Sequence, residues 1–289
     1  VSDSIKIVTE PTVYLIGKQT IDNGELDRFL ADHEVSHWQT DTEVAGEKLV
    51  EVAGRLCYMS FAKPRPGGNS AYIDHILEVG HGSVLEHAVY NLVITGVSRS
   101  LTHELVRHRA GMGYSQLSQR YVDESDCAFV VPPTLMEEVA EARRMIEVFG
   151  CSAASLIREG RCSGRCVAGL QWINSMEQSQ GDYAYLSGYL AARDAKPGED
   201  KTERRKAARE AARSVLPNAT ETKIAVTGNA RALRHLLEMR GSLYADAEIR
   251  RLAVAIWRVL SADSPNIFGD IRLIAGCESG WLSTDHAKV

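Results

Sequence analysis

No run of about 18 consecutive apolar residues occurs in this chain, so its sequence offers no membrane-spanning helix. The opening VSDSIKIVTE lacks a charged segment followed by an apolar core, and no secretory signal is expected there. Cysteine is sparse. Six residues in 289, namely Cys57, Cys127, Cys151, Cys162, Cys166 and Cys277, are too dispersed for a disulfide framework. Cys162 and Cys166 are the one close pair, but a structural zinc takes four ligands and no second Cys or His pair stands at the needed spacing. No metal site is therefore expected, and free thiols in a reducing cytosol are the default. A basic excess is missing as well. The net charge of −5 and a pI near 6.0 argue against a non-specific nucleic-acid binder. No G-x-G-x-x-G follows a strand-like run, which leaves a Rossmann-type dinucleotide site without support. Repeats, low-complexity tracts and a dividing linker are all lacking, so one domain over residues 1–289 is expected.

What is present is a chain 44% hydrophobic, ample for a core, with more helix than strand in its periodicity. Short strands are predicted over 5–8 and 12–16, split by Pro11. A helix over 43–59 carries Val44, Leu49, Val52, Ala53 and Leu56 at helical spacing. KPRPGGN, 63–69, reads as a loop, and 70–79 as a short helix ending at Gly80. The β-branched run 88–97 predicts a strand, after which Ser98 caps a helix bearing Leu101, Leu105 and Arg107-His108-Arg109. A strand over 127–132 precedes two long helices, 134–160 and 165–193, and a polar loop, 194–200. Then come a helix over 202–215, a strand over 220–227, a helix over 229–240 ended by Gly241, and a helix over 245–261 with Trp257 inward.

The densest chemistry lies in 104–121, ELVRHRAGMGYSQLSQRY. Fixed cations, a histidine, hydroxyls and amides fall within about one loop's reach. Guanidinium forks match phosphate geometry, so the set suits a polyanion bearing a hydrogen-bonding ring, as in a nucleotide. A single Arg at a helix end usually just opposes the helix dipole. Three basic residues tied to Gly111, Gly113 and SQLSQR are harder to dismiss that way.

The stretch resembles the signature of the flavin-dependent thymidylate synthases: R-H-R, seven or eight residues, then Ser. Here Arg107-His108-Arg109 is followed by Ala110 to Leu117 and then Ser118, and Tyr114 to Tyr121 match the family's Y-S-Q-L-S-Q-R-Y. Three more segments recur in the family's order. His81-Gly82-Ser83-Val84-Leu85-Glu86-His87 resembles H-x-[ST]-x-x-E-H. Arg213-Ser214-Val215-Leu216-Pro217 resembles R-x-x-L-P. Asn229-Ala230-Arg231, His235 and Arg240 resemble the N-A-R helix.

The resemblance implies an α+β fold, helix-rich, with a mostly antiparallel central sheet. It implies a homotetramer with active sites at subunit junctions and conversion of dUMP to dTMP. FAD would be the cofactor, methylenetetrahydrofolate the carbon donor and NADPH the reductant. By position, Ser83 would touch the flavin from a neighbouring subunit. Arg107, His108, Arg109, Gln116, Asn229, Ala230, Arg231 and His235 would bind FAD. Glu104, Leu105, Val106, Leu117, Ser118, Gln119, Arg120 and Arg213 would hold dUMP, with Arg107 and Gln116 reaching both ligands. Arg240 would face the pyrimidine as the catalytic cation.

Plainer roles stand beside these. Glu86 and His87 suit capping or core hydrogen bonding, and Asn229 suits an N-cap. Ser118 lacks a base at triad-like spacing and reads as a ligand rather than a nucleophile. His81 is a weaker flavin or folate contact. Arg231 and His235, four apart, share a helix face, while Arg240 falls about half a turn from Arg231. Two features depart from the family pattern: Gln116 replaces a common Glu, and Ala110-Gly111-Met112-Gly113 takes the longer spacing. Residues 134–200 have no residue-by-residue match. An RNA clamp using the arginines with Tyr114 and Tyr121 is the competing possibility.

Overall fold

The computed structural model describes residues 5–63, 65–193, 200–276 and 280–287. Most of the 194–200 loop and Cys277 lie outside them. The strands are β1 (Lys6–Val8), β2 (Thr12–Lys18), β3 (Val89–Ser98), β4 (Met112–Gln116), β5 (Ala128–Val130), β6 (Glu221–Asn229), β7 (Arg272–Ile274) and β8 (Trp281–Ser283). The helices are α1 (Asn23–Asp32), α2 (Ala45–Leu56), α3 (Gly68–Glu78), α4 (Arg99–Leu105), α5 (Met136–Phe149) and α6 (Ala153–Arg158). They continue with α7 (Arg165–Ala192), α8 (Lys201–Ala212), α9 (Ala230–Arg240), α10 (Ala247–Asp263) and α11 (Pro265–Phe268). The fold is α+β and helix-rich.

Two compact units form, and neither is one continuous stretch. The first takes the chain up to Glu10, Thr95–His103 and Gln116–Lys223. The second takes Pro11–Ile94, Glu104–Ser115 and the chain from Ile224 onward. A four-stranded antiparallel sheet in the order β2-β3-β6-β4 lies mostly in the second unit. Its inner face follows from alternation: Tyr90, Leu92 and Ile94 on β3, with Ile224 and Val226 on β6, are buried while their neighbours are not. α10 packs against β2 with Ile249, Leu252, Ile256 and Leu260 at helical spacing. Tyr90 stays inside because its hydroxyl bonds Ser264 Oγ at 2.9 Å and its ring meets Phe268 edge-on.

In the first unit, β1 pairs with β5 in parallel, Ile7 opposite Phe129. α7 packs on α5, α6 and α8. At its crossing with α5, a Cβ on Gly169 would meet the Glu138 carbonyl oxygen at 2.0 Å, so the two backbones touch. The predicted single helix over 134–160 is two, because Gly150 adopts φ 60° and closes α5 with its amide on the Ile146 carbonyl. Ser152 then caps α6. The predicted helix over 202–215 ends at Ala212, and residues 213–215 tighten into a 3₁₀ turn before Pro217. Trp257 is only half-buried.

Candidate active site

α4 begins as predicted, with Ser98 Oγ accepting the Leu101 amide at 3.0 Å. It stops at Leu105, however, so Arg107-His108-Arg109 lies in the turn beyond it rather than on the helix. The expected loop 110–114 is also shorter, because β4 starts at Met112. Gly111 makes the reversal at φ 69°. A Cβ there would meet Asn229 Nδ2 at 2.6 Å and the Ala232 Cβ at 2.9 Å. Strand β4 then returns Tyr114 beneath the turn, its hydroxyl shared between the carbonyls of His108 (2.8 Å) and Leu105 (3.0 Å). Burial raises the Tyr114 phenol to about 12, so it remains a donor.

His108 is the centre of the cation group in the second unit. Arg240 Nε donates to His108 Nε2 at 3.0 Å, and Arg240 Nη1 donates to Glu104 Oε2 at 2.8 Å. His235 approaches edge-on, ring centroids 6.0 Å apart. Burial first, then Arg240, His235 and Arg107, lowers the His108 imidazole to about 4. It is neutral at pH 7, and because Nε2 accepts, the proton sits on Nδ1. Arg107 and Arg109 are exposed and form no ion pair among the described residues. On α9, Asn229 is both N-cap, accepting the Ala232 amide at 2.8 Å, and anchor, donating its own amide to the Gly111 carbonyl. Ala230 is buried, its amide on the Ala88 carbonyl. Arg231 pairs with Glu86 at 2.8 Å, so Arg231 and Arg240 serve different partners, as their spacing predicts. His235 instead joins the Arg240 group, because the long Arg240 side chain reaches back to His108. Val106 lies in the turn after α4.

Ser83 sits in the 3₁₀ segment Gly82–His87 and lines a cavity of about 360 Å³ with Arg55, Tyr58, Arg65, Tyr72 and His81. Tyr58 stacks on His81 there, and no R-H-R residue contributes to the lining.

The first unit holds a separate cation group. Arg99 loses basicity through burial and then through neighbouring Arg213, with Glu124 opposing. Arg213 is thus close enough to disfavour the Arg99 charge, and an anion bound there would relieve that repulsion. Gln119 is 5% exposed and its Nε2 has no partner among the described residues. Gln116 donates to Thr102 Oγ1 and Thr222 Oγ1, leaving its carbonyl oxygen unengaged by either hydroxyl. Leu117 is fixed by its amide on the Lys223 carbonyl, and Ser118 turns the chain by accepting at its carbonyl from Tyr121 and Val122. Arg120 pairs with Glu210 at 2.8 Å.

Arg99 went unrecognised in the sequence. The signal was there: an arginine at the first position of a helix opposes the dipole, which needs a compensating reason. Tyr58, stacked on His81, was also missed, since nothing in its local pattern sets it apart.

A helix-rich α+β fold carrying one cation group around a neutral histidine and a second around Arg99 has the charge to take up a nucleotide. Residues 40–266 match the family described as thymidylate synthase complementing protein. A flavin-dependent thymidylate synthase from Mycobacterium sp. (strain JLS) is 48% identical over 241 residues, 82% of this chain and 84% of that one. One from Mycobacterium tuberculosis (strain ATCC 25177 / H37Ra) is 46% identical over 258 residues, 89% and 91% of the two chains. Among solved structures, thymidylate synthase X from Helicobacter pylori, with FAD and dUMP, shares the fold at TM-score 0.53 and 21% identity, covering 90% of this chain and 98% of that one. The UMP/dUMP methylase PolB from Streptomyces cacaoi, bound with 5-Br dUMP, does so at 0.57 and 20%, covering 92% and 96%. The chain belongs to the flavin-dependent thymidylate synthase family.

Proposed function

We propose that this chain, as one functional domain, converts dUMP to dTMP with FAD as cofactor, methylenetetrahydrofolate as carbon donor and NADPH as reductant. The observation that carries the proposal is the uncompensated cation set around neutral His108. Arg107 and Arg109 stand exposed without carboxylates, and a pyrophosphate would supply the missing charge. That donor set fits FAD, with Asn229, Ala230, Arg231, His235 and Gln116 completing its contacts. When bound, the flavin supplies the redox chemistry of methyl formation.

The residues' own work is positioning and electrostatics. Arg213, with Arg99, holds the nucleotide phosphate, and Ser118, Gln119 and Arg120 hold the rest of dUMP. Glu104, Leu105 and Val106 carry the helix end on which Arg240 is oriented. Glu104 and His108 fix the Arg240 guanidinium by two hydrogen bonds, so it opposes charge developing on the uracil ring without first reorganising. A protonated His108 would repel Arg240; its neutrality keeps Nε2 available as acceptor.

Ser83 serves the flavin of a neighbouring subunit in a homotetramer. Its place in a cavity that excludes the R-H-R residues supports that arrangement. A cytoplasmic setting goes with the proposal. Purified protein absorbing near ~450 nm, as flavins do, and releasing tritium from C5-labelled dUMP when given NADPH and the folate, is the expected result. Bound flavin with no tritium release would refute the assigned reaction.

A further inference from the structure

Cys162 and Cys166, in the first unit, have no part in the proposed chemistry. Cys166 Sγ lies 3.0 Å from Cys162 Sγ and donates toward it. Covalent sulfurs stand about 2.05 Å apart, so the gap to a bond is about 1 Å. The chain creates this proximity with two left-handed glycines. Gly160 (φ 62°) turns the backbone after α6, and Gly164 (φ 61°) turns it again into α7. Cys162 is thereby folded over the first helical turn, where Cys166 sits.

The two thiols differ in access. Cys166 is buried in the apolar cluster with Leu156 and Leu170, and burial pushes its thiol up. Cys162 is half-buried at the edge of that cluster, within reach of a small solute. Among the described residues no group of three or more His, Cys, Asp or Glu side chains is placed to hold a metal ion.

We propose that Cys162 and Cys166 form a reversible intramolecular disulfide by exchange with a low-molecular-weight disulfide of the glutathione type. Cys162 Sγ, as thiolate, attacks one sulfur of the small disulfide and expels the other as thiolate, leaving a mixed disulfide. Cys166 then gives its proton to solvent or to the departed thiolate. Its sulfur attacks Cys162 Sγ and displaces the second small thiolate. Two protein thiols are oxidised and one small disulfide is reduced to two thiols; a reducing thiol pool reverses both steps. The bond ties the loop before α7 to that helix. Farther along α7, Gln180 holds the Cys127 carbonyl, and the Tyr183 hydroxyl accepts the Glu124 amide.

The sequence supplies a clean assay. Trypsin cuts after Arg161 and Arg165, placing Cys162 in the peptide 162–165 and Cys166 in 166–193. Full-length protein is incubated with oxidised glutathione, its remaining thiols are alkylated, and it is digested without reductant. The two peptides are expected as one species, about 2 Da lighter than their sum, that separates on reduction. Cys166→Ser, or Cys166→Ala if the serine disturbs folding, is expected to trap one glutathione on Cys162. Cys162→Ser is expected to leave Cys166 unmodified. Recovery of both wild-type peptides separate and alkylated, or linkage of Cys151 in place of either, overturns the proposal.

Discussion

The two cation groups use the same side chain in opposite ways. In the second unit, Arg240 already has its acceptors, Glu104 and His108, and is held in one orientation. In the first, Arg213 acts against the Arg99 charge, and Glu124 acts to restore Arg99's basicity. Burial and Glu221 raise the Glu124 carboxyl, while Arg99 and Lys223 act to lower it. A guanidinium with internal partners is a preset electrostatic element. A guanidinium crowded by another of its kind stores repulsion that an incoming anion relieves. On the proposed function, catalytic orientation and substrate capture would fall to different arginines.

Breaking the preset group should cost most. Arg240→Ala is expected to lower kcat about 100- to 1000-fold, the scale for losing one charge-stabilising donor, while the circular-dichroism spectrum stays unchanged. Wild-type kcat in that variant would remove Arg240 from the mechanism. On the other side, Arg213→Ala is expected to raise the dUMP KM about 10- to 100-fold, the range for a lost charge-assisted hydrogen bond. Bound flavin should not change, and a parallel loss of flavin would erase the separation of the two groups. The converse variant, Arg109→Ala, is expected to lower flavin retained after dialysis about tenfold, a typical value for one exposed phosphate contact. Its dUMP affinity should be preserved, as isothermal titration can check.

Two smaller effects sharpen the comparison through the turn itself. Gly111→Ala forces a side chain into a left-handed conformation and against Asn229, at a cost of about 1–3 kcal/mol. The expected result is a lower unfolding temperature; an unchanged one would mean the turn relaxes freely. The last concerns pH. His108 is lowered from 6.5 to about 4 in the folded protein, so between those values the unfolded chain binds the extra proton. Its contribution to stability is therefore full above pH 6.5 and is lost as pH falls toward 4. His108→Asn should flatten the difference in unfolding temperature across that window, and a wild-type slope in the variant counts against it.

How much of this was legible depends on whether the signal was local. The strand at 88–97 and its Ser98 cap are written in a β-branched run followed by a hydroxyl, and the structure has both. β4 was hidden because MGYSQ reads as loop by composition. It is a strand because the sheet supplies hydrogen-bond partners to a Gly-bearing segment. The break at Gly150 was missed because the apolar spacing resumes in α6 once the chain has turned. The R-H-R, Arg213 and Arg240 motifs stood out, yet Arg240 meeting His108 across 132 residues is a tertiary fact that no window shows. Both units are assembled from separated stretches, so no linker could mark them.

Gly169 has a reach beyond its own position. With no side chain between them, the α5 and α7 backbones approach at that point more closely than a Cβ would allow. Fourteen residues farther along, a distance of about 21 Å at 1.5 Å per residue, the same rod carries Tyr183 to the amide of Glu124. The smallest residue in the chain acts as the fulcrum of a lever whose far end sets where the segment beside Arg99 comes to rest.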